Sequence, residues 1–195
     1  APALQVWMED LARMRHSMTG EQLMGCPTWF PTRLADGSAM REHFPEDPWP
    51  MLMTSYKSNL MRSMSTGVAR LRQVHPHNPV SVNREDAARL GVKNGDTVRL
   101  TTPGSTMLAT ALVRDGVMPG ALAVEYGYGH TELGARAHTV DGKVLPNNPQ
   151  RASGVSLNDL GLADPSRAKD QRNVWIDWVS GAVVRQGLPA RIGRV

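Results

Sequence analysis

Apolar positions along the chain change period several times, and each change marks an element. Leu4, Trp7, Met8, Leu11, Met14 and Met18 recur at the three- and four-residue spacing of a helix, and Gly20 ends the run. The spacing predicts an amphipathic helix whose Met-rich face is a packing surface. Pro27, Pro31, Pro45, Pro48 and Pro50 then remove backbone donors too often for a helix, so this stretch reads as a strap laid over something else. Met51-Leu52-Met53-Thr54 is a short apolar run suited to a buried strand, and the polar bend Ser55-Tyr56-Lys57-Ser58-Asn59 follows it. Beyond the bend, Met61, Met64, Val68 and Leu71 stand three and four apart and allow a helical turn or two.

Val80-Ser81-Val82 reads as a brief strand, and Asn83 is placed to cap a helix over Arg84 to Leu90 that Gly91 stops. Asn94-Gly95 supplies a tight turn. Thr97 to Thr102, Met107 to Val113 and Ala121 to Val124 are strand-like, separated by Pro103-Gly104, Asp115-Gly116 and Pro119-Gly120. Strands about ten residues apart with turn chemistry between them predict a mainly β fold built on a closed or nearly closed barrel. From Gly127 to Ser166 periodicity is lost, and a long loop of this kind in a compact domain is usually functional. Val174 to Val179 looks like a final strand, and Gly187 to Val195 like a loose basic tail. The chain divides into a helix and proline-rich strap over 1–46, a barrel over 47–186 and a tail over 187–195.

Composition narrows the classes. Hydrophobic residues are 41% and charged residues 21% of the chain, as in soluble globular proteins. No apolar run reaches the roughly 18–20 residues of a membrane span, and the N-terminal residues do not form a signal peptide, so an export signal would lie elsewhere. Cys26 is the single cysteine, which excludes an internal disulfide and multi-cysteine zinc or iron–sulfur sites. Lys and Arg exceed Asp and Glu by 22 to 18, a net +4 that is too small to name a partner.

Two segments carry candidate chemistry. In the first, Lys57 and Arg62 supply charge while Ser55, Ser58, Ser63, Ser65 and Thr66 supply hydroxyls, a mixture that suits a pyrophosphate and equally suits a solvated helix start. In the second, Tyr126-Gly127-Tyr128-Gly129-His130 sets two aromatics and an imidazole on a flexible backbone, fit for stacking on a heterocycle or for an ordinary aromatic turn. His75 and His77 flank Pro76 without acidic or cysteine partners at ligand spacing, and read as loop residues. Cys26 has no activating base nearby and reads as structural. No Ser/His/Asp arrangement, glycosidase carboxylate pair or Walker loop is present, so the chain lacks an obvious catalytic engine.

The stretch from Leu52 to Asn59, with Arg62-Ser63-Met64-Ser65-Thr66-Gly67, resembles the pterin-contacting loop in the last domain of the dimethyl-sulfoxide-reductase family. Val82 to Val98 resembles that family's helix-and-strand signature within a double-psi β-barrel of the aspartate-decarboxylase-like, molybdopterin-dinucleotide-binding type with short helices. Ser156-Leu157-Asn158-Asp159-Leu160 with Asp164-Pro165 is similar to its closing motif. Glu125 to His130 with Glu132 to Ala135 is most similar to the tetrathionate-reducing branch, with the respiratory arsenate-reducing branch next. The resemblance implies a cofactor-binding domain, inactive in isolation, of a periplasmic oxidoreductase that carries molybdenum bis(molybdopterin guanine dinucleotide). It implies that Tyr56, Lys57, Ser58, Asn59, Arg62, Ser63, Ser65 and Thr66 line the pterin and phosphates, that Tyr128 and His130 face the active-site side, and that Asn158 and Asp159 close over a pterin. The implied partners are the remaining domains of the same large polypeptide, an iron–sulfur electron-transfer subunit, and a membrane quinol-oxidising subunit. The large polypeptide's own iron–sulfur cluster and its protein ligand to molybdenum would lie in parts outside this chain.

Two other readings stay open at this point. A double-psi barrel also carries self-processing pyruvoyl decarboxylases, for which Gly104-Ser105 is a candidate cleavage site, although Pro103-Gly104 is more simply a hairpin turn. A basic nucleic-acid-binding module predicts a concentrated Lys/Arg face, whereas the charges here are scattered.

Overall fold

The structure is a computed structural model that describes residues 7–17, 20–29, 31–62, 65, 67–132, 134–168, 175–176 and 182–195. In chain order its elements are α1 (Glu9–Ala12), α2 (Met40–His43), β1 (Met51–Tyr56), α3 (Ala69–Val74), β2 (Val80–Val82), α4 (Arg84–Leu90), β3 (Thr97–Thr101), β4 (Thr106–Val113), β5 (Ala121–Glu125), β6 (His138–Val140), β7 (Lys143–Leu145), α5 (Pro149–Ala152) and β8 (Leu188–Arg194). Six strands close a barrel in the order β1-β5-β2-β4-β3-β8, and β6 and β7 form a separate two-stranded ribbon. Two pairings in the barrel are parallel, β1 with β5 and β2 with β4; the others are antiparallel. This mixed barrel with short helices meets the mainly β expectation.

Alternation of side chains fills the barrel. Met51, Met53, Val80, Val82, Leu122 and Val124 are each at most 1% exposed and come from three adjacent strands. Val98 and Leu100 of β3 and Leu188, Ala190 and Ile192 of β8 join the same core, with Leu100 opposite Ile192 and with Leu188 and Ala190 opposite Met53 and Met51. Helix α4 is fixed at both ends by local chemistry. Asn83 Oδ1 accepts from Glu85 N at 2.8 Å, and Gly91 adopts φ 65° so that Val92 N can donate to Ala87 O at 2.8 Å. Buried Asp86 on this helix accepts from Gly120 N at 2.6 Å, which pins the turn that leads into β5.

Two expectations are corrected. The segment 187–195 is not a loose tail: Leu188–Arg194 is the strand that closes the barrel, pairing with β1 and β3. Pro189 interrupts its donor row, and Arg191 and Arg194 are exposed, which gives it the look of a tail in sequence. The N-terminal helix is a single turn, Glu9–Ala12, because the chain folds back on itself: Arg15 bridges Gln22, Met8 N donates to Gly25 O at 2.7 Å, and Leu23 N donates to Met14 O at 3.0 Å. An isolated helix of that length gains little without packing, and Trp7, Met8 and Met14 stay exposed; Leu4 and Met18 lie outside the described residues. The helical turn or two allowed after β1 is α3, Ala69–Val74, which holds Leu71; Met61 is buried outside it, and Met64 lies outside the described residues.

Residues of the proline-rich segment pack on the barrel. Leu34 and Met40 enter the core, Ala35 N donates to buried Asp164 Oδ2 at 2.8 Å, and Trp175 Nε1 donates to Arg33 O at 3.2 Å. Of the expected strand over 174–179 only Trp175 and Ile176 lie among the described residues; Trp175 is buried and Ile176 bridges Val183. Pro103-Gly104-Ser105 forms the hairpin turn between β3 and β4, closed by Thr102 N donating to Ser105 O at 2.9 Å. Among the described residues no helix is long and apolar enough to cross a membrane.

Candidate functional site

Because β1 and β5 run parallel with Tyr56 opposite Glu125, the loops that leave them emerge side by side at one end of the barrel. Tyr126 N donates to Tyr56 O at 3.1 Å and extends this pairing by one residue. A third segment, 153–159, packs against the same end. Asn78, 1% exposed, donates to Glu125 O and to Val155 O and accepts from Val155 N at 2.7 Å, so one buried amide ties the β5 exit to the third segment.

Two glycines make the seam between these segments possible. A Cβ on Gly129, which has φ +65°, would stand 2.4 Å from Ser156 N, and a Cβ on Gly154, at φ +88°, would stand 2.3 Å from Asn78 Oδ1. Gly129 N donates to Ser153 O at 2.9 Å across the same seam.

Between the 126–132 loop and the 156–159 turn lies a cleft of about 530 Å³, lined by Tyr126, His130, Glu132, Asn158, Asp159 and Arg185 among others. Lys57 reaches the cleft wall from the first loop, its Nζ 5.6 Å from the centre of the Tyr126 ring. Lys57 and Asn158 therefore flank one end of the barrel. Arg185 Nη2 donates to Asn158 Oδ1 at 2.6 Å, which leaves the Asn158 NH2 as the donating half of that amide. Cations, amide donors and the Glu132 and Asp159 carboxylates thus meet around one opening.

The expected site residues divide into three groups. His130, Asn158 and Asp159 line the cleft, with His130 Nε2 3.1 Å from Gly127 O. Tyr56, Lys57, Asn59 and Arg62 lie on or at the end of the adjoining first loop; Ser63 and Thr66 are outside the described residues. Ser58 and Ser65 stand in that loop too, but their hydroxyls shape it. Ser58 Oγ donates to Glu125 Oε1 and accepts from Leu60 N at 3.2 Å and Met61 N at 2.9 Å, while Ser65 Oγ accepts from Arg62 N at 2.6 Å.

Tyr128 also borders the cleft, and its side chain is engaged within the fold. It is 3% exposed, its hydroxyl donates to His75 O at 2.9 Å, and the Arg72 guanidinium lies 4.5 Å from its ring centre. Burial first, and the Glu125 carboxylate second, hold its phenol well above the ordinary range, so it is a neutral structural donor at the cleft wall. Arg72, also buried, donates to Gly127 O at 3.0 Å, and burial lowers its pKa from the usual arginine value.

Sequence reasoning missed Arg185, Gln186, Arg72, Asn78 and the partner of His75. Gln186 donates to Ser55 O at 2.9 Å and accepts from Ser55 N at 3.2 Å, an amide clasp on β1 that sets Arg185 at the cleft. No local pattern signals these contacts, because each joins residues far apart in the chain. His75 read as a loop residue for the same reason, yet its Nε2 stands 2.6 Å from Glu125 Oε2.

Residues 53–171 match the model of the molydopterin dinucleotide binding domain. The chain is 50% identical to a tetrathionate reductase subunit of Salmonella typhimurium over 98% of its own length and 19% of that protein's. It is 34% identical to a tetrathionate reductase subunit of Archaeoglobus fulgidus over 63% of this chain and 12% of that one. It is 28% identical to the arsenate respiratory reductase molybdopterin-containing subunit of Chrysiogenes arsenatis over 75% of this chain and 16% of that protein. Among solved structures, acetylene hydratase from Pelobacter acetylenicus superposes with a TM-score of 0.51 at 14% identity, over 89% of this chain and 22% of that one, a likeness of fold. The chain spans between 11% and 19% of the length of the curated relatives it matches.

Proposed function

We propose that this chain, which belongs to the molydopterin dinucleotide binding domain family, is the domain that grips the pterin dinucleotide in the large subunit of a tetrathionate reductase. The observation that carries the reading is the convergence of the β5 exit loop, the 156–159 turn and Arg185 on one cleft that combines a cation, amide donors and carboxylates, beside which the β1 exit loop sets Lys57 against Tyr126. That donor set fits the group. A pterin presents adjacent N–H donors that a carboxylate such as Asp159 or Glu132 accepts, and a carbonyl that the Asn158 amide or Arg185 donates to. Lys57 and Arg62 on the adjoining loop suit the diphosphate. The identity to the Salmonella typhimurium tetrathionate reductase over nearly the whole chain supports the choice of substrate.

The cofactor, molybdenum bis(molybdopterin guanine dinucleotide), supplies the two-electron reduction of tetrathionate to thiosulfate when bound. The residues of this chain bind and orient it and exclude water from its pterin face. On this reading the remaining parts of the large polypeptide carry the iron–sulfur cluster, and the enzyme works in the periplasm. There its electrons would come from a membrane quinol-oxidising subunit by way of an iron–sulfur subunit.

The test is reoxidation of reduced viologen by a full-length protein containing this chain, assayed with tetrathionate, arsenate and selenate. Turnover of tetrathionate with pterin and molybdenum in the purified protein is expected. Cofactor content without tetrathionate turnover would move the substrate to arsenate or selenate. A full-length protein that is folded but free of pterin would overturn the reading.

A further inference from the structure

Glu125 ends β5 at the barrel rim, where a carboxylate would ordinarily face water, yet it is 1% exposed. A buried carboxylate is retained only when its oxygens are satisfied. Here each oxygen has its own partner: the Ser58 hydroxyl donates to Oε1, and His75 Nε2 stands 2.6 Å from Oε2. Ser58 passes the constraint on, because the same hydroxyl oxygen accepts from the amides of Leu60 and Met61 and so folds residues 58–61 into a turn. Met61, fully buried, anchors the turn from below. The imidazole is held in its turn by an edge-on contact with the Tyr128 ring at 5.7 Å and by the C-terminal end of α3, which it follows directly.

We infer that Glu125 is the positioning residue of the 57–62 loop, fixing through Ser58 the shape in which Lys57 and Arg62 are presented, with His75 holding the carboxylate in place. The inference rests on the cofactor reading for its purpose but not for its geometry. Ser58 is therefore not a phosphate donor: its hydroxyl proton goes to Glu125, and its lone pairs to the loop's own backbone. The loop is shaped before any ligand arrives, which lowers the ordering cost of binding.

The test is amide hydrogen exchange on the full chain, read at Leu60 and Met61 with the β3–β4 ladder as internal reference. Ser58→Ala and Glu125→Ala are each expected to speed exchange at Leu60 and Met61 by about tenfold, the worth of one well-made hydrogen bond, without changing the ladder. Glu125→Gln keeps an oxygen for Ser58 and a nitrogen for His75, and is expected to restore protection to within about threefold of the parent. A residue that only filled space would show no such rescue. Unchanged exchange at Leu60 and Met61 in Ser58→Ala overturns the inference, and that variant decides alone if Glu125→Ala loosens the barrel. Pterin content of the full-length protein is measured in parallel. Raised exchange with undiminished pterin keeps the positioning role and overturns instead the reading of this loop as the cofactor's.

Discussion

Arg185 Nη2 stands 2.6 Å from Asn158 Oδ1 and so ties the segment that leads into the closing strand to the turn beside the cleft. The contact joins two stretches that have no local reason to meet. It makes the orientation of the Asn158 amide depend on a residue just outside the matched 53–171 region. Arg185→Ala should cost the isolated fold little, about 0.5–1 kcal/mol by urea denaturation, because the pair is exposed. In the full-length protein the same variant should lower retained pterin roughly as much as Asn158→Ala does. The double variant should add little, the mark of two residues acting as one.

Gln186→Ala should loosen the cleft wall by another route. It removes two backbone contacts to Ser55 that substitute for ladder bonds between β1 and the segment before β8. A loss of about 1–2 kcal/mol is expected in equilibrium unfolding, together with faster proteolysis around residues 183–187. An unchanged midpoint would show that β8 holds its register without the clasp.

Gly154→Ala and Gly129→Ala should be among the most damaging single-methyl changes in the chain. Each adds a Cβ in the left-handed region and drives it to 2.3 or 2.4 Å from a neighbouring atom. Strain and overlap together predict losses of about 2–4 kcal/mol, seen as a fall in melting temperature. Gly142→Ala, at φ +75° with open space around it, should cost only the conformational share, about 1–2 kcal/mol.

Alkaline stability should report Tyr128. Its phenol titrates above the unfolded value of 10.0 because burial and Glu125 oppose the phenolate. Below pH 10 both states carry the proton and its contribution is complete. As pH rises past 10 the unfolded chain releases the proton and the folded one does not, so stability falls. Tyr128→Phe should lose about 1 kcal/mol at neutral pH from the missing bond to His75 O, and should flatten the decline above pH 10 in denaturant titrations.

Removal of residues 188–195 should abolish the cooperative melt. It takes away the strand that bridges β1 and β3 and buries Leu188, Ala190 and Ile192. Retention of a sharp transition by circular dichroism would contradict the closed barrel.

Much of the barrel was legible because its strands and turns are locally encoded. Met51 and Met53 alternate with half-buried partners, Asn83 and Gly91 bracket α4 by caps that need no tertiary help, and Pro103-Gly104 and Asp115-Gly116 turn where they should. Strand β8 was hidden because Pro189 and Gly193 break a pattern that Leu188, Ala190 and Ile192 otherwise keep, and only pairing with β1 and β3 rescues it. The N-terminal periodicity misled for the opposite reason: six apolar residues at helical spacing predict a helix only when something covers them, and Met8 and Met14 are uncovered. In the site, motif-borne residues such as Asn158 and Lys57 could be named from the sequence. Glu125, His75 and Arg185 act through partners 67, 50 and 27 positions away, and no spacing rule reaches that far.

The β6–β7 ribbon has a further consequence for behaviour in solution. Six strands sealed into a ring offer no row of idle amides and carbonyls to a neighbouring molecule, whereas the two-stranded ribbon has no further strand paired to either margin among the described residues. Val140 and Val144 stand uncovered on it, with His138 and Lys143 as the polar interruptions. Any tendency of this chain to stack into aggregates when concentrated should start at that ribbon, and Val144→Lys would be the simplest guard against it.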